Sequence, residues 1–168
     1  KQHHFSTNDI EKIVLNTFDV AFNIIGGGEE GGKKNIRIKE EADHSLPYLI
    51  SAMLLDGNVL PAQYLPERIV KKDIQELLQK VEVNEKKSYS ERFPKEMPCD
   101  ITVVMKDGEQ FHIEKKDYEG FVTRPASWET VSGKFKALST PFTDEKTQDK
   151  IIDLVKNIEK HQIKELTE

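Results

Sequence analysis

Polar and apolar positions alternate most cleanly in "CDITVVMKDGEQFHIEKKD", residues 99–117. Ile101, Val103 and Met105 share one face, Asp107–Gly108 supplies a tight turn, and Phe111 and Ile113 continue on a return strand. In "DHSLPYLISAMLLDGN", apolar residues recur at helical spacing. Asp43 or Ser45 can cap that helix, Pro47 suits its first turn, and Gly57 suits its stop. Leu46, Leu49, Ile50, Met53 and Leu54 form the predicted core stripe. "KDIQELLQKV" predicts a second helix that turns Ile74, Leu77, Leu78 and Val81 inward. "DIEKIVLNTFDVAFNII" fits either period, and its β-branched and aromatic content favours a strand over 12–18 followed by a helical turn.

Two more amphipathic helices close the chain. One is capped by Ser127 and carries Trp128, Val131, Phe135 and Leu138; the other carries Ile151, Ile152, Val155 and Ile158. The pattern predicts an α+β fold: a small antiparallel sheet with helices packed on one side, followed by C-terminal amphipathic helices.

Composition narrows the function. Apolar residues are 36% and charged residues 33% of 168, polar for a globular chain, so a partner surface is expected to share the burial. The net charge of −5, with no basic cluster interleaved with aromatics, argues against nucleic acid and anionic membranes. Cys99 stands alone, which excludes an internal disulfide and a cysteine-based metal site and fits a reducing, cytoplasmic compartment. The longest apolar run, "LISAMLL", is far too short to span a membrane. The N-terminus has neither a signal-peptide core nor an initiator Met, so the chain is expected to start inside a longer polypeptide.

"GGGEEGGKK" comes close to a phosphate-binding loop, but Gly27 to Gly32 is one residue short. Lys34 stands where a hydroxyl should hold magnesium, and Glu29 and Glu30 put two negative charges inside the cradle. A mobile surface loop without nucleotide is the expectation. His3, His4, His112 and His161 have no ligand spacing with carboxylates or Cys99, so no metal is expected.

Three stretches, "EADHSLPYLISAMLLDG", "RFPKEMPCDITVVMKDG" and "DYEGFVTRPASWETVSGKF", resemble the C-terminal part of the MmgE/PrpD family, in its order and with similar spacing. The resemblance covers nearly the whole chain. It implies cofactor-free lyase or isomerase chemistry on small di- and tricarboxylates, with the site between a large helical domain and a smaller α/β lid. Residues 1–126 then look like the lid and 127–168 like C-terminal helices. The implied partners are the missing N-terminal helical domain, a small carboxylate substrate and a second copy in a homodimer. "TRPASW" looks most like the 2-methylcitrate dehydratase branch. The helical domain carries several of the family's catalytic His, Lys and Asp residues, so the isolated chain is expected to be inactive. The alternative is a stand-alone module that binds a small acid or a protein and performs no chemistry.

Four residues are candidates for the site. Tyr48 matches the family's active-site tyrosine, and a phenol with a pKa of about 10 stays protonated and can donate. Its hydroxyl is expected to face the cleft, with Leu49, Ile50 and Met53 turned to the core; otherwise it is a boundary aromatic. His44 can titrate near neutrality or donate to a carboxylate, or it hydrogen-bonds across the helix start. First-turn N–H groups near Ser45 and Leu46 offer an anion subsite. Arg124 can clamp a carboxylate in bidentate fashion or sit in a surface ion pair.

Overall fold

The computed structural model describes residues 5–162 and residue 164, which leaves His3 and His4 outside the described residues. The chain forms two compact units, Lys1–Tyr118 and Glu119–Glu168.

In the first unit, strand β1 (Ile10–Thr17) lies inside a four-stranded sheet of order β2-β1-β3-β4, with β2 at Val81–Glu85, β3 at Cys99–Met105 and β4 at Gln110–Lys115. The register lines up two apolar rows across the sheet. One is Val81, Ile13, Val103 and Phe111; the other is Val83, Leu15, Ile101 and Ile113. Because side chains alternate along a strand, all eight point to one face. The fold is α+β, and the sheet is mixed: β2 runs parallel to β1, and the other two pairings are antiparallel. Val81, expected at the end of a helix, opens this parallel strand, and the handover is fixed where Ile13 N donates to Lys80 O at 3.0 Å. The β3–β4 loop has three residues, since Met105 N donates to Glu109 O and only Gly108, at φ 92°, takes the left-handed region.

The short helices α1 (Asp19–Ala21) and α2 (Lys39–Asp43) precede the long α3 (Leu46–Asp56), which is followed by α4 (Pro66–Ile69), α5 (Lys72–Gln79) and α6 (Lys87–Ser90). Helix α3 is flanked by two cores. On the sheet side, Ile50, Leu54 and Leu55, together with Leu77 of α5, pack on Ile10, Ile13, Val81, Val103 and Met105. On the other side, Tyr48 and Ala52 meet Ile36, Ala42, Ile69, Ile74 and Leu78. The predicted stripe on α3 is therefore corrected: Tyr48, Ser51 and Ala52 are fully buried, and Met53 is 49% exposed. A helix packed on two sides has no single apolar stripe, and small side chains mark its closest approaches.

The glycine loop is hydrogen-bonded in place. A π-helical turn, Phe22–Gly26, ends at Gly27 with φ 110°, and Glu30 N donates back to Asn23 O at 3.2 Å. A Cβ on Gly28 would lie 2.9 Å from the backbone Cα of Asn23, so that glycine is required by packing. No helix follows until Lys39, which removes the remaining likeness to a phosphate loop.

In the second unit, α7 (Trp128–Ser139) is capped by Ser127 and α8 (Glu145–Lys156) by Asp144. Gln148 of α8 ties the two together through Lys136 O (3.2 Å) and Ser139 Oγ (3.0 Å) at the end of α7.

The two faces of β1 predict unequal costs for neighbouring substitutions. Ile13 is fully buried, so Ile13→Ala should cost about 2–5 kcal/mol in urea denaturation. Lys12→Ala removes a 3.3 Å pair to Glu82 between half-exposed side chains and should cost less than about 1 kcal/mol.

Candidate functional site

The "ADHSLPY" segment forms the joint between α2 and α3. Glu41 Oε2 accepts from the backbone N–H of Arg37 (2.7 Å) and of Ile38 (3.3 Å), which closes the start of α2. Ser45 Oγ accepts from Tyr48 N at 3.1 Å as the cap of α3 and donates to Lys33 O at 2.6 Å. One hydroxyl thus starts the helix and pins the glycine loop over it. Ser45 has no exposed surface. Its position is that of a buried cap, and the anion subsite expected at this helix start has no solvent-facing hydroxyl to offer.

His44 is the accessible member of the joint, its side chain 62% exposed. Its Nδ1 lies 2.5 Å from Asp43 Oδ1 and 3.1 Å from Glu40 O. Asp43 also accepts from Lys39 Nζ at 2.8 Å. The hydrogen bond from Lys39, followed by that from His44, holds the Asp43 carboxyl below the usual carboxylate range. An ionised Asp43 favours the proton on Nδ1 and leaves Nε2 to accept or deliver a proton. His44 also lines a cavity of about 330 Å³ with Lys33, Glu30, Glu40 and Glu41. Three carboxylates against one lysine repel an acid, so a di- or tricarboxylate at His44 needs cations from elsewhere.

The structure corrects the orientation expected for Tyr48. The ring is fully buried and its hydroxyl donates to Gln63 O. Gln63 Nε2 in turn donates to Asp56 Oδ2 at 3.1 Å. Arg68 grips Asp56 with two bonds of 2.8 and 2.9 Å and reaches Asp73 at 2.9 Å. Burial, the larger influence, raises the Tyr48 phenol above its ordinary value. The phenol is thus the inner end of a polar chain that fixes α3 to α4 and α5. Arg124 belongs to the second unit, exposed in a tight loop closed by Gly120 N to Arg124 O and Arg124 N to Phe121 O, both 2.8 Å. His44, Ser45 and Tyr48 therefore share one joint in the first unit, and Arg124 lies in the second.

A second polar centre escaped the sequence reading. Asp100 on β3, only 3% exposed, accepts from Asn16 Nδ2 (2.8 Å), Tyr89 Oη (2.7 Å) and Lys86 Nζ (3.0 Å). Burial pushes its carboxyl up, but hydrogen bonds from Tyr89, Lys86 and Asn16 outweigh that and hold it below the ordinary range. The lysine ammonium is held above its usual range by its bonds to Tyr89 and Asp100. The alternation of β3 sets Asp100 among the polar positions, and its partners come from three other places in the sequence. Among the described residues, no group of three or more His, Cys, Asp or Glu side chains is placed to hold a metal. No helix among them is long and apolar enough to cross a membrane.

The family model for the MmgE/PrpD C-terminal domain matches residues 1–160. The chain belongs to the MmgE/PrpD family. Within that family, cis-aconitate decarboxylase of Homo sapiens is 32% identical over 127 residues, which is 72% of this chain and 25% of that protein. The Mus musculus cis-aconitate decarboxylase is 26% identical over 155 residues, 92% of this chain and 30% of that protein. This MmgE/PrpD domain thus spans between 25% and 30% of the length of these curated relatives.

Two predictions follow from the buried groups. Tyr48→Phe keeps the ring but strands a buried carbonyl, so it should destabilise the chain by about 1–3 kcal/mol in denaturant titration. The depressed pKa of Asp100 contributes stability that is fully present above the unfolded value, about 3.9, and is lost as pH falls through the folded value. Asp100→Asn should lower stability at neutral pH and flatten the loss below about pH 4. A parallel acid limb in wild type and variant would remove Asp100 from that role.

Proposed function

We propose that this chain is the lid-type C-terminal domain of a cofactor-independent lyase acting on a small di- or tricarboxylate. The observation that carries the reading is the family match across residues 1–160. The two relatives named above, cis-aconitate decarboxylases, favour a six-carbon tricarboxylate that loses carbon dioxide. "TRPASW" favours the 2-methylcitrate dehydratase branch, in which a proton is removed beside a carboxylate and hydroxide is expelled. Both reactions need a group that moves a proton at carbon or oxygen.

In this reading His44 is that group on the present domain. Asp43 holds Nδ1, and Nε2 works toward the substrate. Tyr48 acts as a positioning residue, because its hydroxyl is already given to Gln63 O. The cations that hold the substrate come from the rest of the protein, with Arg124 as a contributor. The full-length protein is then a homodimer in the cytoplasm, and the isolated chain does not turn over.

The test uses the full-length protein that contains this chain, incubated with cis-aconitate and with 2-methylcitrate and followed by NMR. Loss of carbon dioxide from the first or of water from the second decides the branch; turnover of neither rejects the lyase reading. His44→Gln should lower kcat by roughly 10²- to 10⁴-fold with little change in Tm, since the ring is largely exposed. An unchanged kcat would reduce His44 to a structural partner of Asp43.

A further inference from the structure

We propose that an open cavity beside α5, which shares no lining residue with the cavity at His44, binds a compact multivalent anion, independently of the His44 joint. The cavity measures about 800 Å³, within the range of small-molecule sites. Lys71, Lys72, Lys80 and Lys106 line it against two carboxylates, Asp73 and Glu76. The whole chain carries a net charge of −5, so this concentration of cations runs against its average.

Local pairing does not account for these lysines. Asp73 is already met by Arg68 at 2.9 Å, and Lys71 stands off at 3.9 Å. Lys72 reaches Glu76 only at 3.6 Å, with both side chains well exposed, a pair of little worth in water. Lys80 Nζ is held by the neutral carbonyl of Ile10. Lys106 has no ion-pair partner among the described residues; the main-chain bond from its N–H to Asp9 O, 2.8 Å, fixes its backbone at the cavity edge. Helix stability does not explain Lys71 and Lys72: they occupy the cap and first position of α5, the end where the helix dipole disfavours cations, whereas Lys80, at the C-cap, stands where the dipole favours one. Leu55 and Leu77 give the cavity an apolar floor.

Four ammonium groups around an apolar floor suit a small organic molecule with three or more negative charges. Ammonium groups are point donors without the fork that selects planar carboxylates, so carboxylate and phosphate share the required chemistry. Citrate and magnesium-free adenosine triphosphate serve as the two probes.

The experiment is calorimetry together with ¹H–¹⁵N spectra of the 168-residue chain at about 20 mM and about 150 mM salt, with sulfate as the control. Saturable binding is expected with a Kd below about 1 mM at low salt, weakening as salt rises. Amide shifts should centre on Thr7, Asn8, Lys71–Leu77 and Lys106. Lys72→Gln combined with Lys106→Gln should weaken binding by at least about tenfold without changing Tm, as both act through charge. His44→Ala should leave binding unchanged, which separates this site from the proposed active site. Binding of citrate alone assigns a tricarboxylate, of the triphosphate alone a phosphate ligand, and of both a general polyanion site. Three results would overturn the proposal: no binding beyond that of sulfate at equal ionic strength, shifts centred on other residues, or undiminished affinity in the double variant.

Discussion

Helix α3 is clamped between two apolar cores, with Ile50, Leu54 and Leu55 pressed to the sheet and Tyr48 and Ala52 to the outer helices. Its ends are therefore fixed in space. Ser45 caps one and draws the glycine loop over it, while Gly57, at φ 77°, stops the other. Asp56 at that second end receives the Arg68 fork, which orders α4 and α5. The polar bonds here are buried or part-buried and satisfied, and such bonds cost most when one partner is removed. The clamp makes the joint before α3 a rigid mount, and a rigid mount is what a proton-transfer group requires.

The division of labour within "DHSLPY" follows from that mount. Neighbouring residues on a helix point about 100° apart, so only some of the six can reach solvent. Ser45, Pro47 and Tyr48 are consumed by capping and burial, and His44, just outside the helix, keeps an exposed ring. The other face of the sheet has its own fixed point at Asp100, which links β1, α6 and β3 through Asn16, Lys86 and Tyr89. Both centres place charge where the backbone around it is held on several sides.

Much of this was readable from the chain. The β3–β4 hairpin announced itself through the alternating Ile101, Val103 and Met105 and the Asp107–Gly108 turn, and α3 through Ser45, Pro47 and Gly57 at its boundaries. The family was legible in three motif segments, and the match over residues 1–160 bears it out. Which face of α3 is buried was not legible, because a hydrophobic stripe marks one buried side and this helix has two. Strand β2 was hidden because five residues with two valines, directly after a helix, fit either period. The Asp100 centre was invisible for another reason: its four members lie at residues 16, 86, 89 and 100, and only the pairing of β1 with β3 brings Asn16 opposite Asp100. The fate of the Tyr48 hydroxyl likewise depended on Gln63, fifteen residues away in a turn without a strong pattern.

Native-state hydrogen exchange of α3 tests the clamp most directly. With cores on both sides, the amides of Ala52, Met53 and Leu54 should open only with the whole first unit, giving the same protection free energy as the central strand residues Ile13 and Leu15. Met53 is the telling site, because its side chain is exposed while its amide lies within the clamped helix. Equal protection for α3 and β1, falling together on Ile13→Ala, is the result the clamp predicts. Exchange of α3 through a smaller opening that leaves β1 protected would contradict it, and would show that the joint carrying His44 is not rigidly held.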